Sequence, residues 1–334
     1  MKSFRFLFIL ILIGTFFQLT GCKPKNPKIG ILMANYNDER WTKDKDYLVD
    51  NLTKGGAEIM LEVANNDQDK QIAQAETMIK NGAQVLIVVS INQEKAARIV
   101  ELAHEANVKV IAYDRLINGS KLDYYITTNS TQVGRLQASY ITSLKPKGNY
   151  ALICGSKYDD NSTKLFLGQM NVLIPFMENG DIHVVYSEFT EDWTPAQGAF
   201  HTRQILEQNK DSITAIIAGS DAIADGIISV LKEKGLQGKI MVTGQDSELD
   251  NLKEIMKGNQ TCTILKPLKE MAKLTSELAI SLALNKPLKM EFTNESNKKA
   301  IVKSILIDAT VVNRNNMKST VVASGYHTDA EINH

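Results

Sequence analysis

Cysteine is scarce in this chain, and that scarcity removes several classes of protein at once. The three cysteines, Cys22, Cys154 and Cys262 in 334 residues, show no metal-ligand spacing and build no disulfide framework. A chain of this size forms its core without such staples, so Cys154 and Cys262 read as buried free thiols. His104, His183, His201, His327 and His334 are scattered, with neither metal nor triad spacing. The first strand–helix junction lacks G-x-G-x-x-G, and G-x-x-x-x-G-K-[ST] is missing throughout, so nucleotide phosphate binding has no support. An excess charge of one sign is missing too. Lys+Arg and Asp+Glu both number 38, which leaves no electrostatic footprint for nucleic acid. No metal and no cofactor is expected.

Long apolar runs are missing except at the start. Residues 6–18 are apolar behind a short basic segment, too short for the roughly 20 residues that cross a bilayer. They fit the apolar region of a secretory signal. Leu19-Thr20-Gly21-Cys22 looks like a bacterial lipobox, so residues 1–21 are expected to be a lipoprotein signal peptide cut ahead of Cys22. Cys22 would carry the lipid and tether the mature protein outside the cytoplasm, on the cell membrane or the outer membrane. Residues 22–27 hold two prolines in a polar stretch and read as a tether.

What is present from residue 28 onward is a regular alternation. Strand-like runs at 28–34, 57–63, 85–89, 108–113 and 124–127 alternate with amphipathic helices at 40–54, 69–81 and 93–106. The pattern restarts with helices at 131–144 and 163–178, another opening at Thr194-Pro195, and strands at 149–153, 183–186, 215–218, 240–243 and 261–265. A long helix at 267–284 and a late strand at 301–307 follow. Such alternation implies right-handed βαβ units and parallel sheets. Two series imply an α/β fold of two doubly wound lobes with the default binding site in the crevice between them. One lobe is expected from 28–130 with 267–300, the other from 131–266 with 301–334.

The run at 108–113 is almost wholly apolar, as suits a strand covered on both faces, and it ends abruptly in Asp114-Arg115. Open α/β sheets place their ligand crevice at such carboxyl ends. Polar residues recur at the same place in both series: Asn37-Asp38-Glu39-Arg40, Asn129, Asp159-Asp160-Asn161, Ser220-Asp221, Gln245-Asp246 and Lys266. Carboxylates accept and guanidinium donates, so together they grip the hydroxyls of a neutral polyol. The two tryptophans, Trp41 and Trp193, sit one in each series at such an end, where an indole offers a flat face to the C–H surface of a sugar ring.

Glu39-Arg40-Trp41-x-Lys43-Asp44, Ala112-Tyr113-Asp114-Arg115-Leu116-Ile117, Gly168-Gln169-Met170, Gly244-Gln245-Asp246, Lys266-Pro267 and Gly325-Tyr326-His327 closely resemble the periplasmic D-xylose-binding proteins of ABC transporters. Those are type I periplasmic binding proteins, whose lobes are joined by a three-strand hinge. The resemblance implies a sugar held by Arg40, Asp114, Arg115, Asn161, Asp246 and Lys266, with Trp41 and Trp193 as ring platforms. Ser220-Asp221 stands where the family usually has Asn-Asp, and both are carried as candidate ligands. Lys164 stands near a position where the family has Arg, and the two are not equivalent at a bidentate site. A related pentose or hexose therefore stays open beside D-xylose. The implied role is non-enzymatic: the protein presents a monosaccharide to an ABC permease or, alternatively, to a membrane receptor or histidine kinase. Sugar-sensing repressors share this architecture but need an amino-terminal helix-turn-helix, where this chain has a signal segment.

Overall fold

The computed structural model describes residues 26–209 and 212–334. The expected signal peptide at 1–21 and the lipid-bearing Cys22 lie outside them. The first series runs β1 (Lys28–Met33), α1 (Glu39–Lys54), β2 (Glu58–Val63), α2 (Gln68–Lys80), β3 (Val85–Val88), α3 (Ala97–Glu105), β4 (Lys109–Tyr113) and β5 (Tyr124–Thr128). The second runs α4 (Ser130–Leu144), β6 (Gly148–Ser156), α5 (Asp160–Glu178), β7 (Ile182–Thr190), α6 (Pro195–Asn209), β8 (Ile213–Ala218), α7 (Asp221–Glu233), β9 (Met241–Thr243), α8 (Leu249–Lys257) and β10 (Thr263–Leu265). The return comprises α9 (Leu268–Ala283), β11 (Thr293–Ser296), β12 (Ile301–Ile307), β13 (Thr310–Val312) and α10 (Asp329–Asn333).

Two sheets result, one per lobe, and the fold is the expected α/β arrangement. The first has the order β11–β12–β5–β4–β3–β1–β2, and the second the order β7–β6–β8–β9. The pair β10–β13 extends the second sheet through a bridge between Thr243 and Cys262. Central strands are apolar on both faces because helices cover both: β3 is wholly buried. On the open edge, β2 carries Glu58 and Glu62, charges that discourage pairing with another chain.

The late strand corrects the lobe assignment. Residues 301–307 were expected in the second lobe. Instead β12 pairs in parallel with β5, from Lys303 opposite Tyr124 to Ile307 opposite Thr128, and completes the first sheet. Its inward residues Val302 and Ser304 are buried, and β11 closes against it as an antiparallel hairpin. The chain therefore crosses between sheets three times, after β5, after β10 and after β12. The first and third crossings are tied directly, since Asn129 N donates to Ile307 O at 2.9 Å.

Helix α1 shows how core and cleft share one element. Its buried residues Arg40, Asp44, Leu48 and Leu52 recur every four positions, a stripe along one face. Leu48 and Leu52 anchor that face in the core. The same stripe turns polar at Arg40 and Asp44, where the helix reaches the cleft. The carboxyl-terminal tail crosses behind it: Lys43 Nζ donates to Tyr326 O at 2.6 Å, and Tyr326 Oη donates to Asp246 O at 3.0 Å.

Candidate functional site

The carboxyl ends of β4, β6, β7, β8, β9 and β10 converge on an inner cavity of about 30 Å3. That is room for about one water. Of the residues expected to hold ligand, Arg40, Trp41, Asp114, Arg115, Asn161, Trp193, Ser220, Asp246 and Lys266 all line it. Asp38, Asp159, Gln245 and Glu248 line it as well. The sequence marks the first three only as polar residues at strand ends, and Glu248 carries no signal beyond standing just before a helix. The cavity opens into a mouth of about 620 Å3 that shares Asp38, Arg115, Asp159, Trp193 and Glu248.

Arg40 is the centre. Its side chain is 3% exposed and contacts three carboxylates: Asp44 at 2.9 Å, Asp114 at 2.8 Å and Asp246 at 3.2 Å. The first two belong to its own lobe and the third to the other. Lys266 Nζ meets the same Asp246 oxygen at 3.0 Å. A second pair joins the lobes where Arg115 Nε lies 3.0 Å from Asp159, an ion pair without hydrogen-bond alignment. Asn161, at the start of α5, donates to Asp114 Oδ1 at 3.2 Å and to its carbonyl at 3.1 Å. Ser130 Oγ donates to Asn161 Oδ1 at 2.9 Å and fixes the direction of that amide.

Two of the carboxylates sit on unusual backbone. Asp114 has φ 65° and Asp246 φ 99°, left-handed conformations that cost most residues about 1–2 kcal/mol. Each is over-determined by neighbours. Asp114 N donates to Ile126 O, and the Asp114 carbonyl accepts from Thr127 Oγ1 and Tyr125 Oη. Asp246 N donates to Ile264 O, and Tyr326 holds its carbonyl. Strain held this way is a mark of functional positions.

Electrostatics follow from burial and pairing. Burial pushes the Asp114 carboxyl up, but Arg40, Lys266 and Arg115 together pull harder and leave it lowered to about 2. Asp44 is fully buried, and desolvation outweighs Arg40 and a short hydrogen bond from Tyr113, raising it to about 6. Glu248 is pushed up to about 9 by burial and then by Asp246 and Asp221. Asp38 and Asp159 are also raised, chiefly by burial. Acids and bases are thus interleaved and mutually paired, which suits a neutral ligand with many hydroxyls better than an ion.

The aromatic groups behave differently from one another. Trp41 is almost fully buried; its Nε1 donates to Asp38 at 3.1 Å, and the Arg40 guanidinium lies over its ring at 4.2 Å from the centroid. Trp193 is half-buried, and its Nε1–H is enclosed without an acceptor among the described residues. A Cβ at Gly155 would lie 1.9 Å from the Trp193 ring, so the end of β6 must be glycine for that indole to seat.

Asp221 does not join the cavity, against expectation. Its carboxylate is fully buried and spent on Gln260 Nε2 at 2.8 Å, Thr263 Oγ1 at 2.8 Å and Glu248 N at 3.0 Å. It braces the loop that carries Asp246 and Glu248. Lys164 also lies outside the cavity, bound to Asp160 at 3.1 Å and across the lobes to Glu295 at 2.9 Å. Cys154 and Cys262 are free and buried. Among the described residues no cluster of His, Cys, Asp and Glu suits a metal, and no helix is long and apolar enough to cross a membrane.

Residues 29–287 match the periplasmic binding protein domain. The chain is 36% identical over 329 residues to the D-xylose-binding periplasmic protein of Haemophilus influenzae, covering 98% of each. It is 35% identical over 326 residues to the protein of that name in Escherichia coli, covering 97% of this chain and 98% of that one. Among solved structures, an ABC transporter solute-binding protein from Clostridium phytofermentans with bound β-D-glucose superposes with TM-score 0.83 at 25% identity, covering 91% of this chain and 99% of that one. Sequence along nearly the whole chain and a cleft of paired charges between two parallel-sheet lobes agree: this is a binding protein rather than an enzyme, and it belongs to the periplasmic binding protein family.

Proposed function

We propose that the protein captures a neutral monosaccharide, D-xylose before others, between its lobes outside the cytoplasm and delivers it to an ABC permease. The observation that carries this reading is Arg40, buried and shared among Asp44, Asp114 and, across the cleft, Asp246. In the bound state sugar hydroxyls would exchange into this network, donating to Asp114 and Asp246 and accepting from Arg40, Arg115, Asn161 and Lys266. Each hydrogen bond to a charged group contributes about 1.5–3 kcal/mol. Three or four of them, with the Trp193 face, support a Kd near micromolar, about −8 kcal/mol. A hexose is the second reading, favoured by the β-D-glucose held in the C. phytofermentans relative. Lipid attachment at Cys22 belongs to the same proposal; Cys22→Ser should abolish labelling with a palmitate analogue and release the protein from membranes.

Thermal-shift screening against pentoses and hexoses tests the ligand. A sugar that binds only the folded state stabilises it by about 2.7 kcal/mol at a hundredfold excess over Kd. D-xylose should give the largest shift. No shift with any sugar refutes the reading, and a larger shift with a hexose replaces D-xylose. Capture of a permease or, alternatively, of a receptor kinase by the liganded form separates transport from sensing.

A further inference from the structure

Five helices, α2, α4, α5, α7 and α10, are capped by the side chain of their own N-cap residue: Asp67, Asn129, Asp159, Ser220 and Thr328. Helices α1 and α8 are not. Their N-cap residues, Asp38 and Glu248, make no capping bond within their own helix. Asp38 is turned instead to Trp41 Nε1. Yet the first N–H groups of both helices have partners, and each partner comes from the other lobe. Glu248 accepts from Glu39 N at 3.1 Å and Arg40 N at 3.3 Å. In return Glu39 Oε2 accepts from Leu249 N at 3.2 Å. The caps are exchanged across the cleft.

Both arms are held in position. Lys43 Nζ lies 3.0 Å from Glu39 Oε1 and leaves Oε2 for α8. On the other side, Asp221 binds Glu248 N at 3.0 Å. The clasp sits directly beside Arg40, so its closure sets the distance from that guanidinium to Asp246. An inner cavity of about 30 Å3 lined by both lobes is too small for a sugar unless the lobes part, and parting them uncaps two helices at once. Helix N–H groups that lose a capping carboxylate are left less favourably satisfied.

We infer that Glu39 is a positioning residue for ligand binding: with Glu248 it forms an exchanged helix cap that favours the closed lobes independently of the sugar, and so sets how long the sugar is retained. This rests on the sugar-binding reading above. A ligand's apparent affinity scales with the fraction of protein that is binding-competent, so a residue that never touches the sugar changes Kd through that fraction.

The experiment compares the parent with Glu39→Ala and Glu39→Gln in calorimetry, stopped-flow release of D-xylose, and small-angle scattering without ligand. Glu39→Ala should bind about fivefold more weakly, the scale of one lost cap. The loss should appear in koff rather than kon, with a larger ligand-free radius of gyration. Glu39→Gln keeps an oxygen for Leu249 N–H and should recover most of the affinity; it also carries the test if the alanine variant fails to fold. A Glu39→Ala protein with the parent's koff and the parent's radius of gyration overturns the proposal, as does a loss that Glu39→Gln leaves uncorrected. Should the parent bind no sugar, the sugar reading falls, and scattering alone still decides the clasp.

Discussion

Asp246→Asn isolates the charge that joins the two lobes. Asp246 occupies left-handed backbone at φ 99°, which Asn tolerates and Ala resists by about 1–2 kcal/mol. Asn therefore removes the charge without a backbone penalty, where alanine would confound the two. The substitution takes a carboxylate from Lys266 at 3.0 Å and from Arg40 at 3.2 Å. Arg40 keeps Asp44 and Asp114. Lys266 is left with no carboxylate at ion-pair distance among the described residues. A sugar hydroxyl that donated to Asp246 loses a charged acceptor, about 1.5–3 kcal/mol. The Asn oxygen still accepts, which places the expected loss near the lower end, about 2 kcal/mol or thirtyfold in Kd for D-xylose. Titration calorimetry beside circular dichroism measures it. A folded variant whose affinity stays within about threefold refutes the reasoning and moves the sugar hydroxyls away from Asp246.

Two further perturbations test the site from other sides. Gly155→Ala puts a methyl group into the Trp193 ring; the indole must shift, and D-xylose affinity should fall about tenfold, the scale of one aromatic contact, with tryptophan fluorescence reporting the move. Asp44 at about 6 and Glu248 at about 9 are acids raised on folding, so the stability they contribute is complete below pH 4 and declines as pH rises through 6 and then 9. Asp114, lowered to about 2, acts oppositely and loses its contribution as pH falls from 4 towards 2. The ligand-free melting temperature should peak near pH 4 and decline from there to about pH 9, and Glu248→Gln should flatten the part of that decline above pH 6; an unchanged profile in the variant refutes the assignment.

The central strands and the charged turn at Asp114-Arg115 were legible because a two-sided buried strand writes itself as an unbroken apolar run. Sheet membership was not. Residues 301–307 read as a strand in any sheet, and only pairing with β5 assigns them to the first. The hairpin partner β11, Thr293–Ser296, is polar and mostly exposed, so it carries no periodic signal. Helix α3 begins at Ala97 rather than at residue 93 because the preceding turn, capped by Asn92 Oδ1, closes on i→i−3 bonds such as Ala97 N to Glu94 O and Arg98 N to Lys95 O. Asp221 misleads for a related reason: a carboxylate after a strand looks the same in sequence whether it faces the cleft or, as here, supports the loop behind it. Glu39 stood out only as a polar residue at a strand end and as part of the family-like motif, and the capping role it shares with Glu248 was not legible because a cap supplied from another lobe has no local spacing.

The place of β12 also dictates an order of assembly. The second sheet's four parallel strands and its β10 edge are complete in the nascent chain by Leu265. The first sheet, begun much earlier, keeps β5 as a bare edge until a partner arrives, with pairings as distant as Tyr124 and Lys303. Such non-local pairing is slow to form, and an unsatisfied strand edge invites association with other chains meanwhile. Truncation just before residue 301 would therefore keep the four parallel strands β7–β6–β8–β9, strip β13 from β10, and leave the first sheet with β5 as an open, adhesive edge.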